Sequence, residues 1–229
     1  MKRSLPVEVV VSSAADAAVA AEGGADRVEL CMHLEVGGLS VSTAAVRAAC
    51  LEGLPVRALV RPREGGFVYS RSERALIVCE AQNVLEAGAE RAVVGGLTAD
   101  GRNDERLVAA LLDVLPADRL VFHRAIDRAA DYEAALKQLC GLGLSEVLTS
   151  GGAARAIDGL SLLKSAVQSG LSVIAGAGVL PVHVPDLSAS GAHVIHASCR
   201  ELAPNANPPS YVDLKRVQAL VAAARLERL

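Results

Sequence analysis

The chain has 229 residues and a formal net charge of −3, and 52% of its residues are hydrophobic whereas only 2% are aromatic. The small negative charge and the scarcity of aromatic side chains argue against a nucleic-acid-binding protein. No apolar run reaches the roughly 18 to 20 residues that span a bilayer, and the start of the chain lacks the apolar stretch of a signal peptide, so we expect a cytoplasmic protein with no membrane partner.

Eight short, strand-like runs alternate along the chain with eight alanine-rich segments of helical length. The predicted strands are 7–11, 27–31, 56–61, 91–95, 120–123, 146–150, 172–176 and 193–198. The predicted helices are 14–22, 43–52, 72–87, 104–115, 132–141, 156–168, 181–189 and 211–228. This alternation predicts an α/β protein with parallel strands, and eight units favour a single (β/α)8 TIM-type barrel domain over residues 1–229. A doubly wound open sheet is the alternative, but the first turn, Ser12-Ser13-Ala14, lacks the glycine motif typical of that fold.

The segment 120–127, LVFHRAID, delivers His123, Arg124 and Asp127 at the end of the fifth predicted strand. Alternation along a strand directs His123 to one face and Arg124 to the other. A hydrogen-bonded core histidine and an ion-paired arginine would explain the two residues without any chemistry. Several other strands end in the same way, however, and in a barrel the carboxyl ends of the strands form the active site.

The same alternation identifies further polar side chains that face the interior of the barrel. They are Glu8 on the first strand, Glu29 and Cys31 on the second, Arg61 and Arg63 at the third, and His196 and Ser198 on the eighth. Glu8 is either part of the site or buried in an ion pair with an arginine. Glu29 is expected to pair with an arginine and to act with His123 as an acid/base pair, with Asp127 as a further catalytic candidate.

Three segments that follow strand ends are candidate site loops, namely 34–42, 62–72 and 203–210. In the second of them, two arginines precede Gly65-Gly66 and Tyr69, which predicts a guanidinium clamp for a carboxylate or phosphate under a flexible lid. The alternative is a solvated loop. Glycine turns at Gly151-Gly152 and at Gly176 and Gly178 are predicted to offer backbone amides to the same anion.

Seven motifs spread over the chain resemble those of the CutC family, whose members are named for copper homeostasis and fold as TIM-type barrels. The motifs are GGADRVELC, GGLSVS, RPREGGFVYS, FHRAID, EVLTSGG, AGAGV and HVIHAS. The resemblance implies a cytoplasmic homo-oligomer, with Glu8, Glu29, Cys31, Arg61, Arg63, His123 and Asp127 on family motif positions.

The chain departs from the family pattern in three places. The usual Glu-x-Cys of the first strand is Glu8-Val9-Val10, the usual EGGLTPS is VGGLSVS, and the usual RPRGGDF is RPREGGF, with Gly66 in place of aspartate. The five cysteines are scattered, with no Cys-x-x-Cys pair, which argues against a disulfide framework and a thiolate zinc site. Because Cu(I) prefers two or more soft sulfur ligands, we expect at most weak copper binding through Cys31.

Three functions remain open on the sequence alone. The first is an enzyme acting on a small anionic metabolite, of a reaction type that the sequence does not define. The second is a Cu(I)-binding or copper-trafficking protein that uses Cys31 with imidazole help. The third is a scaffold that works through its surface.

Overall fold

The computed structural model describes residues 4–200 and 211–226. The strands are β1 (Val7–Val11), β2 (Arg27–Leu30), β3 (Val56–Leu59), β4 (Arg91–Val94), β5 (Leu120–Phe122), β6 (Glu146–Thr149), β7 (Ser172–Ala175) and β8 (Val194–Ala197). Within the described residues these eight strands are all parallel and close into a barrel in chain order, with β8 paired to β1. The predicted (β/α)8 barrel is confirmed.

A helix follows each strand. The helices are α1 (Ala14–Glu22), α2 (Thr43–Cys50), α3 (Arg71–Glu86), α4 (Glu105–Leu112), α5 (Tyr132–Gly141), α6 (Leu160–Gln168), α7 (Val184–Ala189) and α8 (Leu214–Leu226). Six of them begin at a side chain that caps the first backbone amides, namely Ser13, Ser42, Ser70, Asp104, Asp131 and Asp213. None of the helices in the described part of the chain is both long enough and apolar enough to cross a membrane.

The predicted strands start at or next to the observed first residues, but seven of the eight run one or two residues too far. His123 and Ser198, which were predicted as the last residues of their strands, lie just beyond β5 and β8. After β5 the chain forms a short 3-10 helix, Arg124–Arg128, instead of continuing the strand. The predicted loop 203–210 lies outside the described residues.

Two apolar layers hold the barrel together. The larger one packs the outer faces of the strands against the helices. The smaller one fills the barrel interior with one side chain from each strand or its end: Val10, Cys31, Leu59, Val93, Val121, Leu148, Ile174 and Val194. This interior layer lies beneath the mouth of the barrel, which is at the carboxyl ends of the strands.

Candidate functional site

A cavity of about 820 Å³ lies at the mouth of the barrel. Its walls come from the strand ends and from the first two predicted site loops, with Gly37 from one loop and Gly66 from the other. Several predicted site residues line it: Glu29, Cys31, Arg61, His123, Asp127, Gly178, His196 and Ser198. A concave site lined by apolar and titratable groups is typical of small-molecule binding.

His196 lies between two carboxyl groups inside the barrel. Its Nδ1 is 2.8 Å from Oε1 of Glu8, and its Nε2 is 3.5 Å from Oε2 of Glu29. Glu29 and His196 line the cavity, whereas Glu8 lies beneath it and is 1% exposed. The structure therefore brings one imidazole and one carboxyl group together at the cavity, with a second carboxylate behind them.

These contacts change the protonation of all three groups. Burial raises the pKa of Glu29 to about 7, and the charge of Glu8 acts in the same direction. Burial opposes the protonation of His196, but the carboxyl groups of Glu29 and Glu8 outweigh it and raise the pKa of the imidazole. Glu29 can thus exist with or without its proton near neutral pH.

The amino-terminal end of the barrel holds a network of buried ion pairs around Glu8. Arg27 donates from Nε to Glu8, and Arg57 Nη1 lies 3.5 Å from the same carboxylate. Glu146 completes the network, with Arg57 Nη1 at 2.9 Å and Arg91 Nη1 at 2.6 Å. Burial favours the neutral form of Glu8, but the hydrogen bond with His196 and the charges of Arg27 and Arg57 outweigh it and hold its pKa well below the usual range.

Of the two alternatives for Glu8, the buried ion pair is therefore the one observed. The other members of this ion-pair network were not predicted, although alternation along their strands directs them to the barrel interior. They are Arg57, Arg91 and Glu146. Glu29 was predicted to pair with an arginine, but no arginine lies within ion-pair distance of it among the described residues. Its position on β2, further along the barrel than Arg27, keeps it out of the network.

His123 does not form the predicted acid/base pair with Glu29, whose nearest ionisable partner is His196. The Nδ1 of His123 accepts a hydrogen bond from the backbone N–H of Ala125 at 3.1 Å. Burial lowers the pKa of His123 to about 3, and the charges of Arg61 and Arg124 act in the same direction. The imidazole at this position is therefore neutral across the physiological pH range.

The predicted clamp of Arg61 and Arg63 is not formed. Arg61 is 6% exposed, and its guanidinium donates to the backbone carbonyls of Val36, Gly38 and Gly65 at 2.9 to 3.0 Å. These bonds tie the two site loops together beside the cavity. Nη1 and Nη2 of Arg61 are thus occupied by backbone carbonyl oxygens.

Arg63 points away from the cavity and toward α3. It pairs with Glu73, and its guanidinium donates to the carbonyls of Gly66 and Val68 at 2.8 Å each. The cation also lies over the ring of Tyr69, 4.9 Å from the ring centre, and that ring is itself buried. Neither Arg63 nor Tyr69 lines the cavity.

Arg124 is a guanidinium that does lie in the cavity, where the predicted clamp of Arg61 and Arg63 was expected. Its side chain is 42% exposed and lines the cavity, while Nε donates to Asp127 at 2.8 Å and Nη2 donates to Ser150 at 3.1 Å. Strand alternation had placed Arg124 on the outer face, but β5 ends at Phe122 and the 3-10 helix turns the side chain toward the mouth. Arg128, from the same helix, is exposed, lines the cavity and makes no ion pair with the described residues.

Asp127, a predicted catalytic residue, anchors the loop after β6. Its carboxylate accepts hydrogen bonds from Thr149 Oγ1, from the backbone N–H and hydroxyl of Ser150, and from the N–H of Gly152. These donors and Arg124 occupy both oxygens. The contacts position Arg124 rather than leaving the carboxylate free for proton transfer.

The glycine turns differ in what their amides contact. Gly152 donates to Asp127, Gly151 donates to Thr149 Oγ1 at 2.9 Å, and Gly176 donates to the carbonyl of Thr149 at 3.0 Å. These three amides hold the protein's own turns. Gly178 lines the cavity and is the glycine that still fits the predicted anion site.

Comparison with known proteins gives consistent results. The CutC family model matches residues 5–201. A family protein CutC from Vibrio vulnificus is 41% identical over 209 residues, covering 88% of this chain and 84% of its own, and one from Xylella fastidiosa is 37% identical with 88% and 78% covered.

Solved structures show the same fold. The CutC protein of Streptococcus agalactiae, named for copper homeostasis, is 26% identical with a TM-score of 0.77 and covers 85% of this chain and 98% of its own. A phosphoribosyl anthranilate isomerase from Thermus thermophilus has a TM-score of 0.64 at 15% identity, covering 97% of this chain and 99% of its own, and shows the fold alone.

Proposed function

The chain belongs to the CutC family of copper homeostasis proteins, and we propose that its barrel mouth is the active site of an enzyme that transfers a proton on a small anionic metabolite. The observation that carries this proposal is the Glu29 carboxyl group, which lines the cavity 3.5 Å from His196. Its pKa of about 7 lets it both accept and donate a proton at neutral pH. A purely structural carboxylate in a barrel would be paired with an arginine, as Glu8 is.

Each neighbour of Glu29 has a distinct part in this proposal. His196 exchanges the proton with Glu29, and Glu8 holds the Nδ1 side of the imidazole so that Nε2 faces Glu29. Ionisable groups with shifted pKa values that contact one another in a cavity are common where proton transfer occurs. Location in the cytoplasm and assembly as a homo-oligomer belong to the proposal as expectations from the sequence.

The anionic group of the substrate binds at Arg124, with Arg128 beside it. Asp127 and Ser150 fix Nε and Nη2 of Arg124, so the guanidinium is oriented before a ligand arrives, while Nη1 makes no hydrogen bond to the described residues. An oriented guanidinium is well suited to a carboxylate or phosphate. The cavity thus holds a cation for binding and a carboxyl group for chemistry.

Small anions should stabilise the protein through Arg124. At a phosphate or oxalate concentration about a hundred times Kd we expect the Tm to rise by roughly 5 to 10 °C. Arg124→Gln should abolish this rise, whereas Arg63→Gln and Arg102→Gln, which remove the same charge away from the cavity, should retain it. Differential scanning calorimetry at several anion concentrations measures the shifts. An equal rise in wild type and in Arg124→Gln would contradict the proposal.

The residues around Cys31 do not fit a copper site. Cys31 is 2% exposed within the apolar interior layer, and burial together with the charge of Glu29 raises the pKa of its thiol well above the usual range. The register pairs Val10 with Glu29, so no second sulfur stands beside Cys31 on β1. The described residues contain no group of three His, Cys, Asp or Glu side chains placed to hold a metal ion. Weak Cu(I) binding through Cys31 stays a prediction, and no step of the proposed reaction uses copper.

A further inference from the structure

His123 has one ring nitrogen that the protein does not use. Because Nδ1 accepts the N–H of Ala125, the proton of the neutral ring lies on Nε2. Nε2 is buried and makes no hydrogen bond to the described residues, although the residue lines the cavity. A buried N–H donor without an acceptor costs free energy, so its presence points to a ligand that supplies the acceptor.

The surroundings of the ring fix its position. The centres of the Phe67 and His123 rings are 5.1 Å apart. A Cβ atom added to Gly95 would come within 2.5 Å of Nδ1 of His123. Gly95 therefore makes room for the imidazole, and the Nδ1 edge is held against the backbone. Burial and two nearby guanidiniums keep the ring neutral, so His123 can donate a hydrogen bond and cannot act as a base near neutral pH.

We propose that Nε2–H of His123 donates to a carbonyl oxygen of the substrate, which is a small anionic carbonyl compound bearing a hydrogen on the carbon next to that carbonyl. This inference rests on the proposed function, because Glu29 is the base. A single neutral donor suits an oxygen that is uncharged in the substrate and gains charge during the reaction. Arg124 suits the group that is charged throughout.

The step is the formation of an enolate. The Glu29 carboxylate takes the proton from the carbon, the electron pair of the broken C–H bond forms a C=C bond, and the carbonyl π electrons move to the oxygen. The oxygen becomes an enolate held by Nε2–H of His123. The proton on Glu29 then returns to a carbon of the enolate or passes to His196, so the step needs no oxidant, reductant or metal.

Oxalate and malonate test the inference. Both are dianions, but only oxalate readily adopts a planar shape like that of the proposed enolate with its adjacent carboxylate. Isothermal titration calorimetry of wild type should show binding of oxalate at least about tenfold tighter than of malonate. His123→Phe, which keeps a ring but removes the donor, should lose this preference. His123→Gln, which restores an N–H donor, should recover part of it, and His33→Gln on the exposed surface should leave it unchanged.

The outcomes separate the two proposals. If both dianions bind through Arg124 and the oxalate preference is unchanged in His123→Phe, the enolate inference is wrong and the proposed function stands. If neither dianion binds to wild type, both are wrong. A 15N NMR titration of wild type, independent of any variant, should show His123 neutral and protonated on Nε2 from about pH 5 to about pH 9. A His123 ring that titrates within that range would overturn the inference.

Discussion

Glu8→Gln should lower the free energy of unfolding by about 3 to 5 kcal/mol at neutral pH. Glu8 is 1% exposed and contacts Arg27, Arg57 and His196, so the amide leaves buried positive charge without its counter-charge. Urea denaturation curves of wild type and variant give the difference from the two midpoints.

Glu90→Gln is the matched control for this prediction. Glu90 contacts the same arginine, with 3.4 Å between Arg57 Nε and Glu90 Oε2, but its side chain is 46% exposed. Solvent screens such a pair, so we expect a loss well under about 1 kcal/mol. Comparable losses in the two variants would contradict the claim that burial makes Glu8 the more important partner of Arg57.

The stabilisation that Glu8 provides should change with pH in a defined direction. The pKa of Glu8 is lowered in the folded protein, so its carboxylate stabilises the fold above the ordinary pKa of glutamate. That stability is lost as the pH falls below the ordinary value toward the folded-state pKa. The difference between wild type and Glu8→Gln should therefore shrink in acid, and a difference that grows there would contradict this assignment.

Asp127→Asn should destabilise the protein by roughly 2 to 4 kcal/mol and should also abolish the anion-dependent rise in Tm. The carboxylate accepts hydrogen bonds from Arg124, Thr149, Ser150 and Gly152, and the amide would turn an NH2 group toward some of these donors. Arg124 would then lose the contact that orients it. Calorimetry with and without phosphate measures both effects on one sample.

Asp158→Asn provides the control within the same chain. Arg155 and Asp158 form the same three-residue spacing and the same 2.8 Å contact as Arg124 and Asp127, but both side chains are about half exposed, at 58% and 45%. We expect little change in stability, because solvent screens this pair, and an intact response to phosphate. Loss of that response in Asp158→Asn would argue that the cation in the cavity is held in some other way.

The fold was predictable because the signals for it are local. Each buried parallel strand is a short apolar run, and serine or aspartate caps mark where many of the helices begin. The first residue of a strand was found more accurately than the last one. Strands end where the chain turns to form the site, and those turns depend on contacts such as that of Asp127 with Gly152, made between residues distant in sequence.

The site was predictable only in part, for a related reason. Alternation correctly brought Glu29, His123 and His196 to the cavity, because each lies within or next to a regular strand. It failed for Arg63 and Arg124, which lie beyond the strand ends, where side-chain direction is set by the local turn. Arg61 and Arg63 were assigned to an anion by their number and spacing. The observed partners are backbone carbonyl oxygens for Arg61, and Glu73, backbone carbonyl oxygens and the Tyr69 ring for Arg63.

The central claim is that Glu29 carries a proton that it can exchange near neutral pH, and its own titration tests this most directly. In protein labelled with 13C at the glutamate side-chain carboxyl carbons, NMR over a pH series should show one carboxyl group titrating near pH 7. That signal should be missing in Glu29→Gln and present in Glu90→Gln. If every glutamate of the wild-type protein titrates below about pH 5, as exposed glutamates do, Glu29 is an ordinary carboxylate and the proposed acid/base site is contradicted.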